Sequence, residues 1–267
     1  MTKVLAIVGD APNQVALISK LHNVRPIDHL VFIKKRNQRS AKKSIRQMIV
    51  SATINLPFRK AWRDLLIHYG NRYELPVIAT SNADSANDKS VIDLVRQLKP
   101  DIVLVSGTDI LRNKVINEVQ SHGRIMNLHT GISPYIRGGP NCTNWAIYLN
   151  RFDLIGNTIM WLDAGIDSGN IFATERANIS ADDTLSTIHQ KVMDHAHDLY
   201  CRCYRTFLEG RVSTSVPQRE IGEGRLFLSK HWTASTRTRA LWNFYLTRRT
   251  SADLFSDQVV LVPQEKG

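Results

Sequence analysis

Short apolar runs alternate with amphipathic segments along most of this chain, and this alternation constrains the fold more than any other feature. Segments with apolar residues at helical spacing, such as NQVALISKL and SVIDLVRQL, lie between the runs. Buried strands that alternate with helices in this way are typical of a parallel sheet. We therefore predict an α/β fold with a mostly parallel, helix-covered sheet. The apolar runs are KVLAIVG, HLVFI, DIVLVSG and RIMNLH.

The segments between and after these runs give further predictions. Apolar residues at helical spacing on both sides of Pro57 predict two basic amphipathic helices. The stretch 157–179 predicts two strands joined by a glycine-containing turn, and 181–210 predicts a long helix. No G-x-G-x-x-G follows the first run, so a dinucleotide site is not predicted. The remaining predictions are a strand at 76–80 and helices at 85–100 and 110–119.

The net charge of +11 is concentrated in two segments. Residues 34–63 hold 10 Lys or Arg and no Asp or Glu, and residues 225–250 hold six more basic residues and no acid. The rest of the chain is net acidic, with 19 basic and 24 acidic residues. The charge therefore indicates two local patches rather than a uniformly basic surface.

The cysteines and the amino-terminal residues indicate a cytoplasmic protein. Cys142, Cys201 and Cys203 fit neither a disulfide framework nor the usual zinc spacings, so we expect reduced structural thiols. The first apolar run is too short to span a membrane and lacks the cleavage-site pattern of a signal peptide.

A polar cluster lies at the end of the run RIMNLH. Residues 125–139 are IMNLHTGISPYIRGG, so Asn127 and His129 lie two positions apart and share one face of a strand. Ligands bind at the carboxyl ends of parallel strands. A lone histidine there is nevertheless more often a structural residue that caps a turn. The turn formers and the cation that follow are Pro134, Arg137, Gly138 and Gly139.

This motif and its surroundings resemble the folate-dependent formyltransferases, which include glycinamide ribonucleotide, methionyl-tRNA and amino-sugar N-formyltransferases. The resemblance covers about residues 1–210. It implies a Rossmann-like, mostly parallel twisted sheet with helices on both faces as a catalytic domain at 1–210. It also implies a short C-terminal extension at 211–267 that binds the acceptor or dimerises. The features that carry the resemblance are NLH at 127–129, Pro134, RGG at 137–139, DSGNI at 167–171 and PDIVLVSGTDIL at 100–111.

The sequence departs from the family pattern at three places. It has Thr130 and Gly131 after His129, where the family commonly has Pro-Ser. Ile136 stands where a Tyr commonly precedes the Arg, and Met160 stands where a His is often found. These departures leave the Asn-x-His pair and the downstream Asp unchanged.

The resemblance implies a catalytic role for Asn127, His129 and Asp167, and the chemistry agrees with it. An amine that attacks a formyl carbonyl creates an oxyanion, which the Asn127 amide and a protonated His129 would stabilise as hydrogen-bond donors. Asp167, if near His129, would favour the imidazolium and relay the amine's proton through water. The alternative for Asp167 is structural, because D-S-G alone suits a tight turn.

The implied cosubstrate is N10-formyltetrahydrofolate, with its pterin held by backbone after the run DIVLVSG and by the turn at 163–167. No metal is implied, because His195 and His197 point to different faces of the predicted helix. The residues implied in binding the cosubstrate are Thr108, Asp109, Ile110, Leu111, Asp163 and Gly165. Those implied in binding the amine acceptor are Pro134, Arg137, Gly138 and Gly139.

The predicted acceptor is a small molecule, an activated amino sugar linked to a nucleotide and used in surface polysaccharide synthesis, with Lys and Arg near its diphosphate. About 57 residues follow Gly210, fewer than the C-terminal barrel of the methionyl-tRNA enzymes needs. GDAPNQ replaces the Gly- and Ser-rich phosphate loop of the glycinamide ribonucleotide enzymes. The alternatives are these two acceptors, a formyltetrahydrofolate hydrolase and a non-enzymatic RNA-binding protein.

Two segments predict contacts with larger partners. Segment 34–69 combines Lys and Arg with aromatic residues; a solvated helical face is the simplest interpretation, and peripheral contact with an anionic membrane is the alternative. Nucleic acid would suit the same charges but is less favoured. The aromatic residues of LWNFYL at 241–246 favour a homodimer contact.

Overall fold

The computed structural model describes residues 2–34, 45–70, 72–139, 141–163, 167–211, 215–247 and 259–263, with side chains in its second helix from residue 53 onward. The strands are β1 Val4–Gly9, β2 His29–Ile33, β3 Ala79–Ala83, β4 Ile102–Ser106, β5 Arg124–His129, β6 Ile136–Gly138, β7 Gly156–Trp161, β8 Ile171–Arg176 and β9 Arg225–Phe227. The helices are α1 Pro12–Val24, α2 Ile45–Tyr69, α3 Lys89–Leu98, α4 Asn113–Gln120, α5 Cys142–Tyr148, α6 Leu185–Leu208, α7 Gln218–Ile221 and α8 Ala234–Trp242.

Seven of these strands form one twisted sheet in the order β3-β2-β1-β4-β5-β7-β8. The pairings among β1 to β5 are parallel, whereas β7 is antiparallel to both β5 and β8. β6 and β9 form a separate parallel pair. The predicted mostly parallel α/β sheet is therefore confirmed, as is the pair of strands predicted at 157–179.

Helices cover both faces of the sheet because its central strands are apolar on both sides. Every residue of β1 is buried. Alternate residues belong to different apolar clusters, one on each face of the sheet. Val4, Ala6 and Val8 pack with α1, the end of α2 and α6. Leu5 and Ile7 pack with α3 and α4. This double burial explains why the strand lacks the alternation of a half-exposed strand.

A third apolar cluster joins the C-terminal residues to the body of the protein. The Trp145 ring of α5 stacks on Phe227 of β9 at a centroid distance of 4.4 Å. Ala240 and Phe244 are buried in the same cluster. The residues after 210 thus pack against α5 and β6, and the proposed domain boundary at 210 stays a prediction.

The prediction of two helices on either side of Pro57 is wrong. One helix, α2, runs from Ile45 to Tyr69 and contains Pro57. A proline inside a helix cannot donate the backbone hydrogen bond and usually breaks or kinks it. Here Ala61, Leu65 and Tyr69 bury one face of the helix against the body, so tertiary packing outweighs the local penalty.

Two other predicted elements are displaced along the chain. The strand predicted at 76–80 is β3 at Ala79–Ala83, because pairing with β2 aligns Ala79 with His29 and leaves Val77 fully exposed. The helix predicted at 110–119 begins only at Asn113. The preceding residues form a loop whose backbone is held by the Asn87 side chain, which accepts from Arg112 N at 2.6 Å.

The two histidines of α6 make different contacts, as predicted. His195 lies between Asn157 and Glu175, whereas His197 is fully buried and its ring lies 5.2 Å from that of Tyr69. The two histidines therefore face different surroundings. All three cysteines are free thiols.

The segment LWNFYL presents part of its aromatic surface to solvent. Trp242 is 61% exposed and Tyr245 is 47% exposed, whereas Phe244 is buried. The homodimer contact stays a prediction. In the part of the chain that the structure describes, no helix has the length and hydropathy needed to cross a membrane.

We expect Tyr200→Phe to destabilise the fold by about 1–3 kcal/mol, the usual cost of removing a buried hydrogen-bonding group. The Tyr200 hydroxyl accepts from Val105 N at 3.0 Å and donates to Met126 O at 2.6 Å, so it joins α6 to two central strands. Tyr204→Phe is the matched control, because no hydrogen bond to a described residue is recorded for its buried hydroxyl. Urea unfolding measures both variants, and equal losses would contradict the assignment.

Candidate active site

A cavity of about 1760 Å³ lies at the carboxyl ends of β1, β4 and β5. Its walls include the residues directly after these strands, together with parts of α2, α6 and α8. Parallel strands place their carboxyl ends on one edge of the sheet, where backbone and side-chain groups are free to bind a ligand. The sequence motifs therefore converge at this cavity.

Asn127 and His129 both line this cavity from the end of β5. Their spacing of two residues places them on the same side of the strand, as predicted. His129 is only 6% exposed, whereas Asn127 is half-buried. The structure records no hydrogen bond from the Asn127 amide to another described side chain, so this amide is available to a ligand.

His129 forms a buried ion pair with Asp167. The distance from His129 Nδ1 to Asp167 Oδ2 is 3.3 Å, and His129 Nε2 lies 2.9 Å from the carbonyl oxygen of Ile136. A carboxylate and a carbonyl can only accept hydrogen bonds, so both ring nitrogens must donate. The geometry therefore favours the doubly protonated imidazolium.

The electrostatics of His129 agree with this geometry. Burial alone would lower the pKa of His129, but the charge of Asp167, together with Cys142 and the carbonyl of Ile136, raises it to about 10. Histidine in an unfolded chain has a pKa of about 6.5. The ring consequently stays positively charged at neutral pH.

Asp167 is held in place by two other segments. Its Oδ2 accepts a hydrogen bond from Gly138 N at 2.8 Å. The Gln218 side chain donates to the backbone carbonyls of Asp167 and Gly169 at 2.7 and 2.8 Å. Gly138 has a φ of +84°, and a Cβ there would collide with the carbonyl of Phe227, so a glycine is required beside the carboxylate.

Cys142 is a neighbour of His129 that no sequence pattern singled out. Its Sγ lies 3.6 Å from His129 Nε2 and donates to Gly138 O at 3.2 Å. The residue begins α5, whose N-cap Asn141 accepts from Asn144 N. A single cysteine carries no pattern, so only the tertiary fold identifies this contact.

The other predicted binding residues divide into two groups. Pro134, Arg137 and Asp163 do not line the cavity, and Gly165 lies outside the described residues. Asp163 instead accepts from Ser168 at 2.8 Å. The predicted residues that do line it are Thr108, Asp109, Ile110, Leu111, Gly138 and Gly139.

The loop that contains Asp109 is held rigidly by its neighbours. Asp109 accepts from Ala86 N at 2.8 Å and from the Ser85 hydroxyl at 2.6 Å. The Asn87 amide donates to Asp109 at 3.0 Å and to the carbonyl of Ile110 at 2.9 Å. Asp109 therefore organises the loop through its carboxylate, and its predicted contact with a ligand stays a prediction.

Several cavity residues were not selected from the sequence. Segment 34–69 was interpreted as a solvated or partner-binding surface, but Arg59, Lys60 and Arg63 of α2 line the cavity, as does Arg237 of α8. The sequence shows the clusters of positive charge, but it does not show that some of these side chains line the cavity. The aromatic residues Phe58, Trp62 and Trp232 line the same region.

His189 and Asn144 form a second polar pair at the cavity. His189 Nε2 lies 3.1 Å from Asn144 Oδ1, and burial lowers the pKa of His189 to about 4. This ring is therefore neutral where that of His129 is charged. Within the described residues, no three His, Cys, Asp or Glu side chains are grouped as a metal site requires.

We predict that Asp167→Asn lowers the pKa of His129 well below its value in the unchanged protein, because burial then acts without the opposing charge of Asp167. In the unchanged protein the ring should stay protonated up to about pH 10. NMR of ¹⁵N-labelled histidine rings measures this, with His189 as the neutral reference in the same cavity. Loss of the His129 proton near pH 6.5 in the unchanged protein would contradict the ion pair.

The same pair predicts how stability changes with pH. Because the folded pKa of His129 is raised, its contribution is fully present below about pH 6.5 and is lost as the pH rises towards about 10. Urea unfolding at several pH values between about 6.5 and 10 should show this loss of stability for the unchanged protein and a smaller loss for Asp167→Asn.

Comparison with known proteins places the chain in a family. Residues 2–204 match the formyl transferase family model. A methionyl-tRNA formyltransferase of Clostridium beijerinckii is 26% identical over 190 residues, which are 69% of this chain and 59% of the relative. The chain thus spans little more than half the length of this relative and less of several others.

Solved structures share the fold. A sugar N-formyltransferase from Shewanella superposes with a TM-score of 0.56 at 14% identity and covers 91% of this chain and 87% of its own. A phosphoribosylglycinamide formyltransferase from Bacillus halodurans superposes with a TM-score of 0.54 at 20% identity. The match covers 78% of this chain and 97% of that structure. Since the family model matches well over half of the sequence, the chain belongs to the formyl transferase family.

Proposed function

We propose that this protein transfers a formyl group from N10-formyltetrahydrofolate to the primary amine of an activated amino sugar linked to a nucleotide, as used in surface polysaccharide synthesis. The observation that carries the proposal is the meeting of Asn127, His129 and Asp167 at one cavity. These three side chains supply two hydrogen-bond donors and one proton acceptor at that cavity.

The two donors account for the main barrier of the reaction. Attack of an amine on the formyl carbonyl places negative charge on the carbonyl oxygen, and prearranged donors stabilise that charge. The Asn127 amide lies at the cavity, with no partner recorded among the described side chains, and His129 carries a positive charge. To reach the oxygen, the His129 ring must exchange one of its two present partners for the substrate.

Asp167 completes the proton balance. The attacking amine loses a proton as its bond to carbon forms, and the folate nitrogen gains one as its bond to carbon breaks. The Asp167 carboxylate, 3.3 Å from the imidazolium, keeps His129 charged before the attack; it then receives the first proton, directly or through water, and passes it on to the folate nitrogen. The acceptor nitrogen ends as a formamide and tetrahydrofolate is released.

The cavity has room and suitable groups for the formyl donor. Its volume of about 1760 Å³ exceeds the roughly 300–1,000 Å³ of a typical single-ligand site, so a donor and an acceptor fit together. Ile110 and Leu111 line it beside the loop fixed by Asp109 and Asn87. A rigid loop edge offers backbone groups to a flat, polar ring such as a pterin.

The cations of the cavity support a phosphate-bearing acceptor. Arg59, Lys60 and Arg63 of α2 and Arg237 of α8 all line it. The fold likeness to the Shewanella sugar N-formyltransferase extends over 91% of this chain, C-terminal residues included. Methionyl-tRNA is the second candidate acceptor, because the relative of 26% identity is a methionyl-tRNA formyltransferase.

We expect Asn127→Ala and His129→Ala each to lower kcat by about 100- to 1000-fold, the usual cost of losing an oxyanion donor. The assay follows tetrahydrofolate release by absorbance, with a panel of amino-sugar nucleotides, glycinamide ribonucleotide, methionyl-tRNA and a sample without acceptor. Asn113→Ala on the exposed side of α4 is the control and should retain activity.

Each acceptor outcome has a distinct meaning. Release that needs an amino-sugar nucleotide supports the proposal, whereas turnover of methionyl-tRNA or glycinamide ribonucleotide alone would overturn its acceptor. Release without any acceptor would indicate a hydrolase. Salt-sensitive RNA binding that survives His129→Ala, with no release at all, would favour a non-enzymatic RNA-binding protein.

A further inference from the structure

Two arginines without a recorded carboxylate partner lie in the wall of the cavity. Arg59 belongs to α2 and Arg237 to α8, and both line the cavity. Among the described residues, no Asp or Glu oxygen is recorded within 4.0 Å of either guanidinium. Lys60 and Arg63 differ, because they lie 2.6 and 3.8 Å from the carboxylate of Asp64.

Aromatic packing joins the two helices that carry these arginines. The ring of Phe58, next to Arg59, meets that of Trp232 edge to face at a centroid distance of 5.4 Å. α8 begins directly after Trp232, with Thr233 as its N-cap. Helix α2 and the start of α8 are thus joined at the cavity, and each carries one of the two arginines.

We propose that Arg59 and Arg237 together bind the diphosphate of the amine acceptor, which makes a sugar linked to a nucleoside diphosphate the substrate class. The identification of the ligand as the amine acceptor rests on the proposed formyl transfer. The presence of an anion site at the two arginines does not depend on it. A guanidinium binds phosphate oxygens through two parallel hydrogen bonds, so two arginines match the two phosphates of such a ligand.

The burial of Arg237 is the physical reason to expect an anion. Partial burial lowers the pKa of Arg237, and no carboxylate in the described part of the chain opposes that effect. A half-buried charge without such a partner is unfavourable, and the pairing of a bound phosphate with it would relieve that cost. Arg59 is exposed, so this argument from burial applies to Arg237 alone.

The charge distribution separates this place from the end that holds the formyl donor. The acidic Asp10 and Asp109 line the cavity after β1 and β4. Leu111 packs in the apolar cluster of α3 and α4, on the other face of the sheet from α2. A diphosphate would therefore be repelled by the acidic side chains and attracted to the arginines.

Binding of inorganic pyrophosphate tests the anion site without any catalysis. Calorimetry on the full chain should show an affinity about 10- to 100-fold weaker for Arg59→Gln and for Arg237→Gln, as expected when a charge-assisted hydrogen bond is lost. Arg239→Gln is the matched control, because it removes the same charge from α8 but Arg239 does not line the cavity. Arg237→Lys keeps the charge and should keep part of the affinity.

Kinetics then identify which ligand carries the anion. With an amino-sugar nucleotide, Arg237→Gln should raise KM for the acceptor by about 10- to 100-fold and leave kcat and KM for the formyl donor within about twofold. A rise in KM for the donor instead would assign the arginines to the folate glutamate and overturn the proposal. Equal effects of Arg237→Gln and Arg239→Gln on pyrophosphate would overturn it as well.

Failure of the two proposals can be told apart. Formyl transfer that proceeds while pyrophosphate does not bind overturns the anion site and leaves the enzyme assignment standing. Arginine-dependent binding of pyrophosphate without transfer to any acceptor overturns the enzyme assignment and supports the anion site. Arginine variants that impair only methionyl-tRNA formylation would overturn the nucleotide-sugar class.

Discussion

The ion pair between His129 and Asp167 is the interaction on which the arrangement of the site depends. It joins the end of β5 to the segment between β7 and β8, and the same carboxylate accepts from Gly138 N. A buried charge is tolerated only when it is paired and hydrogen-bonded. The pair therefore holds three distant segments together, and Gln218 from α7 fixes the backbone behind Asp167.

Around this pair, acidic and basic side chains line the cavity from different elements of the fold. Acidic side chains lie after β1 and β4, whereas Arg59 and Arg237 lie on α2 and α8. The two arginines come from the two acid-free segments of the sequence. Part of the positive net charge therefore lies at the cavity. A protein can thus be basic overall without a surface that binds nucleic acid, when some of its cations line a cleft.

Sequence patterns predicted the sheet and Asn-x-His well for a simple reason. Buried parallel strands are apolar throughout, and polar residues at the end of such a strand stand out against the apolar run. β5 was therefore predicted at the bounds that the structure shows. α2 was not predicted as one helix, because Pro57 is a local signal that packing of Leu65 and Tyr69 overrides. β3 was displaced because its bounds depend on its pairing with β2.

The sequence by itself determined the α/β class, the strand that ends in Asn127 and His129, and the resemblance to formyltransferases, because these follow from periodicity and local spacing. Only the tertiary structure decided that Cys142 contacts His129 and that Arg59 and Arg237 both line the cavity. It also moved Pro134, Arg137 and Asp163 out of the cavity lining. The reason is that contacts between distant segments arise from packing, and no local pattern records them.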